Sequence, residues 1–139
     1  MKKISIVIPV YFNEDNLLPL YVDLTEKVLG NLEKYDLDYE IIFVDDGSKD
    51  SSYKVMQDLS KLNDKVVLVK LSRNFGEHSA ILAGLTKATG DFAVRKAADL
   101  QEPSDLILKM IEKYNEGNNV VLATRADRDE PMMQRAFSS

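Results

Sequence analysis

The chain has 139 residues, 45% hydrophobic and 29% charged, which suits one globular domain able to bury a core of its own. It contains no cysteine, which excludes disulfides and thiolate metal sites, and its formal net charge of −5 argues against a nucleic-acid partner. No run approaches the roughly 18 apolar residues that span a bilayer, and Ile4 to Val10 is too short, and broken by Pro9, to be a signal peptide.

The first predicted element is a strand over Ile4–Val10, β-rich and nearly continuous in apolar residues, as a strand covered on both faces should be. A polar break, Asn13 to Asn16, precedes a helix whose buried stripe is Leu17, Tyr21, Leu24 and Val28. Asn16 is its expected N-cap and Gly30 its expected stop. The second unit begins at Tyr39 and runs through the strand Glu40–Val44 into Asp45-Asp46-Gly47-Ser48. Val55, Leu59 and Leu62 stripe the next helix. The third strand, from Val66 through Leu71, leads to a turn at Ser72–Gly76 and a small-residue helix, Ala80–Ala88. The fourth strand is expected from near Asp91 to near Ala97. Its helix starts around Pro103-Ser104, carries Leu106, Ile107, Met110, Ile111 and Tyr114, and closes at Gly117. A fifth strand, Val120–Ala123, leads into an Arg-rich tail. Strands alternating with helices predict an α/β, Rossmann-like, mainly parallel sheet with helices on both faces and one domain over 1–139.

In such sheets ligands sit beyond the carboxyl ends of the strands, where strand order reverses. The polar clusters fall at those ends: Pro9 to Glu14, Asp45 to Ser48, Ala98 to Pro103, and Thr124-Arg125. All four are expected on one rim. Asp45 and Asp46 have two readings, a tight turn that caps the next helix, or acceptors for the donor groups of a base and ribose. Asp99 and Gln101 are two apart, so an extended chain points both the same way; their oxygens suit Mg²⁺ or Mn²⁺. The competing reading is a polar loop entering a helix. Arg73 and Arg125 are either solvated or turned toward a diphosphate. His78 is expected to pack or cap, and Asn74-Phe75-Gly76 to be a turn. No P-loop, G-x-G-x-x-G or Ser nucleophile elbow is present. A phosphoacceptor receiver domain is also disfavoured, since its acidic pair follows strand 1 and here the pair follows strand 2.

Taken together, I-V-I-P-V-Y-F-N-E-D, E-I-I-F-V-D-D-G-S-K-D, L-S-R-N-F-G and G-D-F-A-V-R-K-A-A-D-L-Q-E-P-S-D-L-I resemble the family 2 glycosyltransferases with the GT-A fold. The match is closest to members that act on polyprenyl phosphates, such as dolichyl-phosphate mannose synthase-like and undecaprenyl-phosphate glycosyltransferases. The resemblance implies an inverting transferase that moves a sugar from a UDP- or GDP-linked donor to a polyprenyl phosphate or a growing glycan, in the cytoplasm or at the cytoplasmic face of the membrane. It places Pro9, Tyr11, Asn13 and Glu14 around the nucleotide, Asp45 against the base and Asp46 as the second acid of that pair. It makes Asp99 and Gln101 ligands of a divalent cation and sets Arg125 near the phosphates. The sequence departs where the first acid of D-x-D would stand: Ala97 occupies that position. Arg95 and Lys96 nearby are then expected to supply part of the ion's charge. Family members continue past this length, so the chain is expected to be the N-terminal part of a longer protein. No catalytic base is assigned, and a non-catalytic nucleotide-sugar-binding domain is the alternative.

Overall fold

The structure, a computed structural model, describes residues 1–117 in full and the backbone of 120–127 and 130–137. A four-stranded parallel sheet runs β3-β2-β1-β4, built from β1 (Lys2–Val10), β2 (Leu37–Asp45), β3 (Val66–Lys70) and β4 (Phe92–Arg95). The two central strands are the most apolar because neither face meets water. Ile4, Ile6 and Ile8 of β1 and Ile41 and Phe43 of β2 bury one face, and Val7, Ile42 and Val44 the other. Each such side chain contributes roughly 1.5–3 kcal/mol through burial. The register is fixed throughout, with Ile6 beside Ile41 and Val94, and Val10 beside Asp45.

Helices cover both faces, as the alternating pattern predicts. α1 (Leu17–Lys27), α2 (Ser52–Leu62) and α4 (Leu106–Asn115) press Leu17, Leu20, Leu24, Met56, Leu59, Ile107 and Ile111 onto the first face. α3 (Glu77–Lys87) covers the second, starting three residues earlier than the sequence suggests. It lies close because Gly84 has no side chain: a Cβ there would sit 2.5 Å from Val7 Cγ1 and 3.0 Å from Val44 Cγ2.

Three expectations are corrected. Asn16 occupies the N-cap position of α1, but its side chain makes no capping hydrogen bond. Gly30 does not stop the chain's winding; a 3₁₀ helix (Leu29–Tyr35) runs through it and ends where Asp36 turns left-handed, at φ 56°. The fifth strand, β5 (Val120–Asp127), does not join the parallel sheet. It pairs antiparallel with β6 (Glu130–Phe137), a strand the Arg-rich composition hid.

Strand order reverses between β1 and β4. The chain steps from β1 to β2 to β3 on one side, then returns to place β4 on the other. The carboxyl ends of β1 and β4 therefore diverge into separate loops, and a crevice opens between them.

Candidate functional site

That crevice is occupied by a cavity of about 410 Å³ lined by residues from all four strand ends. Pro9, Val10, Tyr11 and Asn13 come from the β1 loop, Asp46 from β2, and Asn74 and Gly76 from β3. Ala97, Ala98 and Asp99 come from β4.

The β1 loop is a strained turn held from three sides. Phe12 is left-handed at φ 55°, which costs a non-glycine residue about 1–2 kcal/mol. Its N–H donates to Ser48 Oγ at 3.0 Å, and the Asn13 N–H donates to Ser52 Oγ at 2.9 Å. Asn13 Oδ1 in turn accepts the Tyr11 N–H at 2.8 Å. The outcome is an exposed pair of rings, Tyr11 and Phe12, packed edge to face at 4.6 Å.

The acidic pair splits into two roles. Asp45 is fully buried, and its Oδ1 accepts the Ser48 N–H at 3.1 Å. Its Oδ2 is buried with no hydrogen-bond partner. A buried acceptor left without a donor is costly, but Asp45 does not line the cavity, and its carboxylate touches the rim through the turn at Ser48. Asp46 does not cap the next helix, whose N-cap is Ser51. It receives the β3–α3 loop instead: Asn74 Nδ2 at 2.9 Å, the Phe75 N–H at 2.8 Å and the Gly76 N–H at 3.1 Å. Asn74-Phe75-Gly76 is thus part of the rim, a role its reading as a simple turn missed. Gly47 makes the approach possible. It adopts φ 77°, and a Cβ on it would lie 2.4 Å from Asn74 N.

Beyond β4 the chain is not extended. A turn forms at Ala98-Asp99, Leu100 is left-handed at φ 65°, and Asp99 Oδ1 accepts the Gln101 N–H at 3.2 Å. The shared face expected for Asp99 and Gln101 is therefore lost: Asp99 lines the cavity and Gln101 does not. Lys96 does not reach the rim either. It is 2% exposed, and its ammonium donates to the Glu102 carbonyl at 2.9 Å, bracing the β4–α4 loop. Burial holds its pKa below the usual lysine value, against the pull of Glu102, Asp99 and Asp23. Arg95 does line the cavity, paired with Glu77 from the first turn of α3.

The remaining predicted residues lie elsewhere. Glu14 is exposed and faces α2, where its Oε2 accepts the Ser51 N–H at 3.1 Å. Arg73 stacks on Phe75, 4.8 Å from the ring centroid, and lines a second hollow of about 550 Å³. That hollow is basic and aromatic, with Lys49, Lys70, Tyr11 and Phe12 on its walls, and it shares Tyr11 and Asn74 with the first. His78 is exposed in the first turn of α3, so it has no packing role. The Arg125 side chain lies outside the described residues.

Whether these groups fit a divalent cation follows from the donor set. Among the described residues no group of three or more His, Cys, Asp or Glu could hold a metal ion. Mg²⁺ and Mn²⁺ need only one or two carboxylates when phosphate oxygens and water complete the shell. Asp99 fits an ion that arrives with a diphosphate, not a standing protein-only site.

Residues 5–136 match the family model described as glycosyl transferase family 2. The chain is 37% identical over 139 residues to an undecaprenyl-phosphate 4-deoxy-4-formamido-L-arabinose transferase from Proteus mirabilis, covering 99% of this chain and 41% of that protein. It is 42% identical over 137 residues to an uncharacterized glycosyltransferase from Synechocystis, covering 99% of this chain and 42% of that one. The chain thus spans about two fifths of the length of these relatives. Among solved structures, it is similar to a mannosyltransferase from Pyrobaculum calidifontis in complex with GDP-Man and Mn²⁺. That match has a TM-score of 0.61 at 20% identity and covers 70% of this chain and 28% of the other. It is also similar to S. aureus TarS 1-349 in complex with UDP-GlcNAc, with a TM-score of 0.64 at 21% identity over 83% and 32% of the two chains.

Proposed function

The chain belongs to glycosyl transferase family 2, and from that premise we propose that it is the donor-binding part of an inverting glycosyltransferase. The donor is a UDP- or GDP-linked sugar. The acceptor is a polyprenyl phosphate, presented at the cytoplasmic face of the membrane. The observation that carries this reading is the cavity between β1 and β4, where Tyr11, Asn13, Asp46, Asn74 and Asp99 from four strand ends line one space. The same reading takes residues 1–139 as a single glycosyltransferase domain.

The two hollows give the donor's two ends different surroundings. The base and ribose lie over Tyr11 and Phe12 toward Arg73, where rings and cations suit a flat π system. Asp45 lines neither hollow but lies behind Ser48, which lines the second. Its buried Oδ2 is assigned to a ring N–H of the base, reached when the Ser48 turn moves aside. The diphosphate lies in the crevice toward Asp99. A divalent cation held by Asp99 would offset charge that develops on the leaving diphosphate. Gln101, which does not line the cavity, would join it only if the turn at Leu100 rearranged. Glu14 supports the nucleotide loop through the start of α2, and Arg125 is assigned to the phosphates.

In the reaction an oxygen of the acceptor phosphate attacks the anomeric carbon as the bond to the donor's β-phosphate breaks. The nucleoside diphosphate leaves with the electron pair. A phosphate acceptor is already anionic, so no side chain has to remove a proton. The chain's own work is to bind and orient the donor and to stabilise the leaving group.

Thermal-shift measurements with UDP, GDP and their sugars, with and without Mn²⁺, test the reading. One nucleotide class should raise the melting temperature, Asp45→Ala should abolish that shift, and Asp99→Ala should remove mainly its metal dependence. If both variants respond as the unsubstituted chain does, the site assignment is wrong. Binding with no transfer by the whole protein to any lipid phosphate would instead indicate a non-catalytic module.

A further inference from the structure

The charge on the cavity wall is wrong for an anion. Among the described residues that line it, Asp46, Glu77 and Asp99 are acids and Arg95 is the sole cation. Ala97 brings only a methyl group. Three N–H donors from the β3–α3 loop offset Asp46. Glu77 and Asp99 have no such set of donors, so among the lining side chains only Arg95 offers positive charge to a guest bearing two or more negative charges.

Arg95 is engaged with an acid. One terminal nitrogen pairs with Glu77 Oε1, and the other lies 3.8 Å from Glu102 Oε1. All three side chains are substantially exposed, between 36% and 52%. Ion pairs in such surroundings are weak, because water competes for both partners. A bidentate contact to a doubly charged phosphate inside a crevice is stronger, and the guanidinium's planar fork matches it. Arg95 also sits at the end of an edge strand, with its side chain partly exposed to solvent.

Building on the reading of this crevice as a diphosphate site, we propose that Arg95 is the protein's own ligand for the donor diphosphate, stored on Glu77 and exchanged onto the phosphates when the donor binds. Glu77 then acts as a competitor for Arg95 and sets how readily an anion enters. This gives the crevice a source of positive charge that does not depend on a metal ion.

Calorimetric titration of the full chain with UDP and GDP, in the presence of EDTA, separates this from a structural ion pair. Arg95→Gln should weaken the nucleotide that binds by about tenfold, and Glu77→Gln should tighten it by up to about threefold, because it removes the competitor. A purely structural pair predicts equal losses for both variants, since each breaks the same contact. Equal losses, or an unchanged Arg95→Gln affinity, overturn the proposal. Should Arg95→Gln fail to fold, Arg95→Lys keeps the charge without the fork and should lose about threefold; no loss in it counts against the proposal equally. If the unsubstituted chain binds neither nucleotide with or without Mn²⁺, the underlying reading fails and this proposal with it. If it binds but the variants behave as a structural pair, only this proposal falls.

Discussion

The carboxylate of Asp46 and the side-chain amide of Asn74 meet at 2.9 Å, although 28 residues separate them in sequence. With the N–H groups of Phe75 and Gly76 on the same carboxylate, this contact ties the end of β2 to the loop after β3 and builds one wall of the cavity. Asp46→Ala should cost about 2 kcal/mol of stability, because three charge-assisted hydrogen bonds across the half-buried rim are lost. Asp46→Asn should recover part of this, since the amide oxygen still accepts. Urea denaturation of the three proteins checks both statements.

Gly47→Ala should destabilise the fold by about 2 kcal/mol or more, from a left-handed backbone and a clash with a neighbouring main chain. The clash partners are Arg73 and Asn74, so the rim should distort as well. A circular-dichroism melt reads the stability, and amide chemical shifts of the Arg73–Gly76 loop read the distortion.

Acid stability should depend on Glu40, at the opposite end of the sheet. Burial alone would raise its pKa, but hydrogen bonds from Ser5 and Thr89, with Lys3 nearby, hold it below the ordinary 4.5. A carboxylate with a depressed folded pKa contributes stability that is present above its unfolded pKa and is lost as pH falls through the folded one. Glu40→Gln should therefore flatten the loss of stability below pH 4.5. Denaturation midpoints across the acid range test this; an unchanged slope contradicts it.

Lys96 predicts a trend of the same sign at alkaline pH, for a different reason. Its folded pKa is depressed by burial, so between that pKa and 10.5 the unfolded chain binds more protons than the native one. Stability contributed by this group must then rise with pH over that window. Lys96→Met should remove the rise, which chemical denaturation at several alkaline pH values would show.

How much of this was legible in the sequence depended on whether a feature is local. The apolar runs Ile4–Val10 and Glu40–Val44 give their strands away because burial on both faces leaves no room for polar alternation. The polar clusters after each strand were legible for the same reason, as breaks in that pattern, and three of the four do surround the crevice. What was hidden depends on partners distant in sequence. Asp46 looks like a turn residue until Asn74 arrives beside it. Asp99 and Gln101 share a face only if Leu100 is extended, and its left-handed backbone reverses the chain. Gly30 reads as a helix stop, yet the chain continues as a 3₁₀ turn packed through Leu32. Nothing in Val120–Ala123 distinguishes a parallel partner from the antiparallel one it takes in β6.

Amide chemical-shift mapping of the isotopically labelled chain, titrated with UDP and GDP, tests most directly whether the crevice at the β1–β4 reversal is the nucleotide site. The account predicts saturable shifts at Tyr11, Asn13, Asp46, Asn74, Gly76 and Asp99, with little change around Gly30 to Lys34 on the 3₁₀ helix. Shifts confined to that distant surface, or none at saturating nucleotide, would contradict it.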